Sequence, residues 1–185
     1  MEDAPLFAWG DALRAARQRK RARRYVLCLA GGAAALAATI ICPPAPRVVW
    51  NASGSAPIGL YWVRPATPVV VGDTVIARAP APWRPFAAAR HYLPANVPLV
   101  KRVAATAGSV VCANGGTIFV DGRRVAARLA HDSLGRTLPW WTGCWRLTGG
   151  QVLLLTSRPD SFDGRYFGAT DGGDVIGKAV LLWRR

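Results

Sequence analysis

Lysine is nearly missing from this 185-residue chain: Lys20, Lys101 and Lys178 stand against twenty-one arginines. Acidic residues are also few, ten against twenty-four basic ones, giving a net charge of +14. Histidine occurs only at His91 and His131, and no two of the four cysteines are spaced C-x-x-C. No zinc pattern is completed, and no metal or cofactor is expected. There is no G-x-S-x-G elbow, which argues against a Ser–His–Asp hydrolase. Internal repeats, familiar nucleic-acid modules and, beyond Val48, long helical periodicity are absent too. So basic a chain would ordinarily raise nucleic acid as a partner. The placement of the charge points elsewhere. Seven basic residues fall between Arg14 and Arg24 without one acid, directly before an apolar run. Charge there orients a membrane segment and attracts anionic headgroups, so membrane lipid is expected as a partner and nucleic acid is not.

Tyr25 to Cys42 holds eighteen residues without a charge, close to the lower limit for spanning a bilayer. The basic lead keeps the N-terminus in the cytoplasm. The expected organisation is a basic cytoplasmic segment over 1–24, with a short helix from Asp11, a transmembrane anchor over 25–42, and an exported domain over 43–185. That is a single-pass protein of the inner membrane with a periplasmic domain. A cleaved signal peptide is the alternative. The long basic lead favours an anchor, and Pro43-Pro44-Ala-Pro46 would end the helix in a stiff exit.

Past Val48 the pattern becomes short β-favouring runs: 47–50, 59–63, 74–77, 99–103, 110–112, 151–155 and 174–183. Thr117 to Val125 reads as a hairpin around Asp121-Gly122. Ala79 to Pro98, with five prolines, reads as a loop or partly helical surface segment. The expected fold is a mainly β domain. In an exported domain Cys112 and Cys144 are a candidate disulfide. Two separate buried thiols are the alternative, and Cys28 and Cys42 bracket the apolar run.

The chemistry centres on Lys101, set in the apolar run Pro98-Leu-Val-Lys-Arg-Val103. In a chain that uses arginine for charge, a lysine in such a place suits a task arginine cannot perform, losing a proton near neutral pH. On a strand, Lys101 and Arg102 point to opposite faces, so lysine turns inward while arginine meets solvent. Desolvation would then lower its pKa and make it a base for a serine nucleophile. Ser53 and Ser55, in Asn51-Ala-Ser-Gly-Ser-Ala-Pro-Ile-Gly-Leu-Tyr61, are the candidate serines. A third stretch, Ser157 to Gly168, carries Ser161, Asp163 and Arg165.

Together these boxes resemble type I signal peptidases, the serine–lysine family that removes leader peptides outside the membrane. The resemblance rests on Ser53-Gly-Ser-Ala-Pro57, Val100-Lys-Arg-Val103, Ser161-Phe-Asp-Gly-Arg-Tyr-Phe-Gly168, the hairpin Val120-Asp-Gly-Arg-Arg-Val125 and the closing strand Val175 to Trp183. It implies a signal-peptidase-like β catalytic domain with Ser55 as nucleophile and Lys101 as general base. The Ser55 N–H and the Ser53 hydroxyl would form the oxyanion hole. Ser161 would orient the lysine, and Asp163 and Arg165 would brace the site as an ion pair. Two departures stand out. Ala56 replaces the usual Met, and Pro57-Ile-Gly-Leu-Tyr61 replaces the usual Pro-Thr-Leu. The latter form resembles the TraF-type conjugative transfer peptidases, whose members mature a pilin precursor and in some systems join its ends into a ring.

The expectation is a monomeric membrane-anchored serine endopeptidase acting on an extended pilin or preprotein segment, with small residues before the cut implied by the family. A general signal peptidase for secreted preproteins is one alternative. A non-catalytic, membrane-anchored assembly subunit of a conjugation or secretion channel is another. Trp50, Leu60, Tyr61 and Trp62, near the nucleophile, would either rest on lipid or serve as ordinary core aromatics.

Overall fold

The computed structural model describes residues 5–42, 46–65 and 68–185, and divides into units spanning Met1–Pro44 and Ala45–Arg185. In the first, a helix α1 runs unbroken over Pro5–Ile41. Alanine, leucine and arginine favour helix throughout, and no proline interrupts the run after Pro5. The short basic helix and the apolar segment are therefore one element, about 55 Å long at 1.5 Å per residue. Within Leu13–Ile41 it is long and apolar enough to cross a membrane, reaching a mean hydropathy of 1.7 over eighteen residues. The expected proline exit lies, in its first three residues, outside the described residues.

The second unit is built on two antiparallel sheets. The larger has the order β1 (Val48–Asn51), β2 (Gly59–Arg64), β10 (Val175–Arg184), β3 (Thr74–Ala77), β4 (Leu99–Ala105), β9 (Leu153–Leu155). The smaller has the order β7 (Arg123–Ala127), β6 (Thr117–Val120), β5 (Val110–Asn114), β8 (Gly143–Arg146). The β6–β7 turn places Asp121 and Gly122 at φ 47° and 76°, the paired positive values that a two-residue turn of this hand requires. A short helix α2 (Trp83–Ala89) occupies the proline-rich segment.

Alternation on β4 and β9 drives the core. Ala105, Leu153 and Leu155 pack with Val111, Ala113, Ile118 and Leu147 from the smaller-sheet region, and Trp141 and Trp145 close that cluster. Val63, Ile76 and Val100 form a second cluster with Tyr61, against which the Ala56 methyl packs. Strand β8 has no counterpart among the sequence expectations. Gly143-Cys-Trp-Arg146 is too short and too polar to show a period of two, and it becomes a strand by pairing with β5.

On the larger sheet, Val48, Trp62 and Val180 are cross-strand neighbours, as are Trp50, Leu60 and Trp183. All but Leu60 are exposed, and the Trp50 and Trp183 rings lie 5.7 Å apart. Tyr61, on the opposite face, is buried. The four residues considered for lipid contact thus divide, Tyr61 going to the core.

Gly59 opens β2 where the chain leaves Pro57, and a Cβ there would lie 2.0 Å from the Trp183 carbonyl oxygen. Gly59→Ala should force β2 and β10 apart and destabilise the domain by about 1–3 kcal/mol, the usual cost of overpacking. Urea denaturation monitored by tryptophan fluorescence would show this, and an unchanged midpoint would contradict the close approach.

Candidate active site

Strand β4 turns Lys101 inward and Arg102 outward. Lys101 is 3% exposed, whereas Arg102 is exposed and its Nε donates to the Gly72 carbonyl at 3.1 Å. Loss of hydration is the main influence on the Lys101 amine, bringing its pKa from 10.5 down to about 8. The Asp163 carboxylate opposes this shift, the Arg165 guanidinium assists it, and Asp160 adds smaller opposition. Nζ lies 2.5 Å from Ser161 Oγ. Lys101 forms no ion pair among the described residues, so a neutral amine would leave no partner carboxylate stranded.

Ser161 is held by the loop following β9. Asp163 caps the four-residue helix α3 (Gly164–Phe167), accepting from the Arg165 N–H at 3.1 Å. The same carboxylate takes Arg165 Nε at 2.8 Å and Thr156 N–H at 3.0 Å, while Arg165 donates to the carbonyls of Thr156 and Ala127 at 2.6 and 3.0 Å. Both side chains of the pair are buried. Burial pushes the Asp163 carboxyl up, against the pull of Arg165 and Lys101. Such a pair adds little net stability, but removing one partner strands a buried charge. Gly164 is obligatory because a Cβ would meet the Leu154 carbonyl at 2.8 Å.

Ser53 and Ser55 occupy the turn between β1 and β2. Their hydroxyl oxygens lie 2.9 Å apart. Ser55 is half-buried and Ser53 exposed. The Ser55 N–H has no hydrogen-bond partner among the described residues, leaving a donor for a developing oxyanion. No hydrogen bond joins Ser55 to Lys101 among the described residues. The two instead share a cavity of about 540 Å3, whose lining also includes Asn51, Ser53, Ser161 and Asp160. Tyr92, Leu129, Leu138, Phe162 and Tyr166 supply apolar wall.

The structure therefore brings together Ser53 with Ser55, Lys101 with Ser161, and Asp163 with Arg165. Cys112 and Cys144, opposed on β5 and β8, are disulfide-bonded. The alternative of two buried thiols is overturned, and Cys144 lies at the surface. His91 and His131 are exposed. Among the described residues no group of three or more His, Cys, Asp or Glu is placed to hold a metal ion.

Two contributors lay outside the sequence expectations. Asn51 is buried beneath the serine turn and accepts the Ser53 N–H at 3.2 Å. An Asx residue bonding two positions on is a recognisable turn signal. Arg128 is buried and among the described residues has no carboxylate partner, its guanidinium donating to the Gly115 and Trp141 carbonyls at 2.6 and 2.8 Å and lying over the Trp140 ring. It ties the smaller sheet to the segment before β8, a long-range task that no local pattern announces.

The family model described as "Signal peptidase, peptidase S26" matches residues 21–184. A "Plasmid transfer protein TraF" from Escherichia coli is 33% identical over 178 residues, covering 89% of this chain and 98% of that protein. A second Escherichia coli protein of the same name is 30% identical over 146 residues, 72% of this chain and 82% of that one. A solved signal peptidase I from Enterococcus faecalis is 18% identical, covers 60% of this chain and 97% of its own, and superposes with a TM-score of 0.36.

The lowered pKa of Lys101 carries a stability consequence. Its folded value, about 8, lies below the ordinary 10.5, so burying the charged amine costs about 3 kcal/mol at any pH below 8. The cost falls away between pH 8 and 10.5, where the folded lysine is already neutral. Lys101→Met should therefore raise stability in chemical denaturation at pH 7, with the gain shrinking toward pH 10. A variant less stable than wild type at pH 7 would contradict a desolvated lysine.

Proposed function

The chain belongs to the signal peptidase family, peptidase S26, and on that premise we propose that it is a membrane-anchored serine endopeptidase working through Ser55 and Lys101. The observation carrying this reading is the buried Lys101 amine, shifted to about 8, opening on the cavity that Ser55 also lines. Basic and catalytic roles need an amine that is neutral for part of the time near neutral pH, and this one qualifies.

The cavity runs beside β1, which among the described residues is an edge strand paired with β2 alone. An extended substrate would add its backbone there. The Ser55 hydroxyl gives its proton to Lys101 as its oxygen attacks the scissile carbonyl. The Ser55 N–H and the Ser53 hydroxyl take the developing oxyanion. Lys101 then protonates the departing amine, leaving an acyl-enzyme on Ser55. Water resolves that ester to a linear product, and a substrate amine resolves it to a new peptide bond. Ser161 keeps the amine on its line of approach.

The curated relatives are plasmid transfer proteins, which favours a conjugative pilin precursor over secreted preproteins in general. The enzyme acts as a monomer in the inner membrane. α1 serves as the anchor with its basic end in the cytoplasm, and the β domain sits in the periplasm, where the Cys112–Cys144 disulfide persists. The exposed Trp62–Trp183 face rests on lipid.

Mass spectrometry of a candidate pilin precursor incubated with the enzyme tests the chemistry. Ser55→Ala and Lys101→Ala should each abolish processing, and kcat/KM should climb about tenfold per pH unit up to about 8 and then level. Processing that survives either substitution removes the dyad, and a product one water lighter than the linear chain identifies transfer rather than hydrolysis. For the lipid contact, lipids brominated near the headgroup should quench tryptophan fluorescence. Replacing Trp62 and Trp183 by Phe should reduce that quenching, and unchanged quenching would rule the contact out.

A further inference from the structure

Asn51 ends β1 with its side-chain amide tucked under the serine turn and 6% of the residue exposed. Nδ2 faces three carbonyl oxygens, those of Ser53, Ala56 and Pro57, at 3.0, 3.1 and 3.1 Å. A carbonyl can only accept, so these contacts settle which end of the amide is nitrogen. Oδ1 therefore faces Ser53, taking its backbone N–H at 3.2 Å and its hydroxyl at 2.9 Å.

The proton positions follow by elimination. An amide oxygen cannot donate, so the one proton of the Ser53 hydroxyl points at Asn51. At the 2.9 Å contact between the two serines, Ser55 must then be the donor. Both hydroxyl protons are thus turned away from where the reaction uses them. That of Ser55 points to Ser53 and not to Lys101, and that of Ser53 points to Asn51 and not into the oxyanion site.

We propose that Asn51 is a positioning residue that parks the Ser53 hydroxyl and yields it to the oxyanion by a single rotation about Cβ–Oγ. The inference rests on the Ser55–Lys101 reading above. Ser53 is exposed, and a free serine side chain would spread over three staggered rotamers. The Oδ1 contacts hold it in one. Release occurs when charge develops, because an oxyanion is a stronger acceptor than a neutral amide. The bond to the Ser53 N–H persists and keeps the turn in place. The bond to the oxyanion is made by Ser53, and Asn51 contributes the one rotamer from which it forms, alike in free enzyme and complex, so Asn51 should affect kcat and leave KM alone.

A double-mutant cycle on the full-length protein, assayed with a peptide substrate, tests this. Asn51→Ala should lower kcat by about threefold, the population of one staggered rotamer among three, with KM nearly constant. In a Ser53→Ala background the same substitution should leave kcat unchanged. Equal losses in both backgrounds would reduce Asn51 to a loop scaffold and overturn the proposal alone. Activity surviving Ser55→Ala would overturn the underlying reading as well. A second measurement needs no Asn51 variant. A peptide boronate that traps Ser55 as a tetrahedral adduct should shift the Asn51 13Cγ resonance upfield as Oδ1 loses the Ser53 hydroxyl. The same adduct on Ser53→Ala should leave it in place, and an unmoved resonance in wild type would refute the donor switch.

Discussion

Keeping an amine out of water is the constraint on which this domain turns. Lys101 sits on β4, between β3 and β9, where its neighbours along the strand are Leu99, Val100 and Val103. Among the described residues no carboxylate bonds to it, and Ser161 is its hydrogen-bond partner. An ion pair would have returned its pKa toward the ordinary range and left it a cation. Asp163 is near enough to oppose the shift, yet its oxygens are occupied by Arg165 and Thr156. Arg165 thus does two things at once. It neutralises the nearest carboxylate, and its own charge presses the lysine toward the neutral form.

The bracing pair works through the backbone. Arg165 reaches Thr156 on one side and Ala127, at the end of β7, on the other. Arg128 continues the line to Gly115 and Trp141. The smaller sheet is thereby fastened to the loop carrying Ser161 by two buried guanidiniums bonded largely to carbonyls. Each bond to a carbonyl uses a planar, fixed fork, which lysine could not supply. The buried arginines and the single buried lysine are two sides of one arrangement: arginine for fixed geometry, lysine for an amine that burial has brought to a pKa of about 8.

Much of this was legible in the residues. Short apolar, β-favouring runs located most of the larger sheet, because its strands β3, β4 and β9 are buried along nearly their whole length. The Asp121-Gly122 turn was readable because only residues tolerant of positive φ suit it. The inward turn of Lys101 followed from adjacent residues on a strand facing opposite ways. What was not legible depends on long-range pairing. β8 is a strand only because β5 lies beside it, and the disulfide needed Cys112 and Cys144 placed opposite one another. Arg128 looks like any surface arginine until the loops it serves have folded around it. The continuity of α1 was not expected for another reason: the change from charge to apolarity divides the segment by composition, whereas helix propensity does not change there.

The serine turn shows what its unusual tail accomplishes. The Pro57 carbonyl accepts from both Asn51 Nδ2 and the Tyr61 hydroxyl, at 3.1 and 2.8 Å. Gly59 lets the chain lie against the Trp183 carbonyl, and the Ile58 carbonyl takes the Arg185 N–H. Asn51, Pro57, Gly59 and Tyr61 therefore act as one clamp, joining the turn to β1, β2 and the C-terminal strand. Pro57 supplies only its carbonyl, while the other three fill contacts particular to their types: an amide with donors and an acceptor, a residue without a Cβ, a phenol long enough to reach back four positions. A turn held this way needs no large side chain after Ser55 to pin it, and the Ala56 methyl, packed against the cluster of Tyr61, Val63, Ile76 and Val100, suffices. The tail thus governs how firmly Ser55 is presented. Leu129, Leu138 and Phe162, which face the same cavity as Lys101, come from other parts of the chain, so the turn and the cavity wall are set separately.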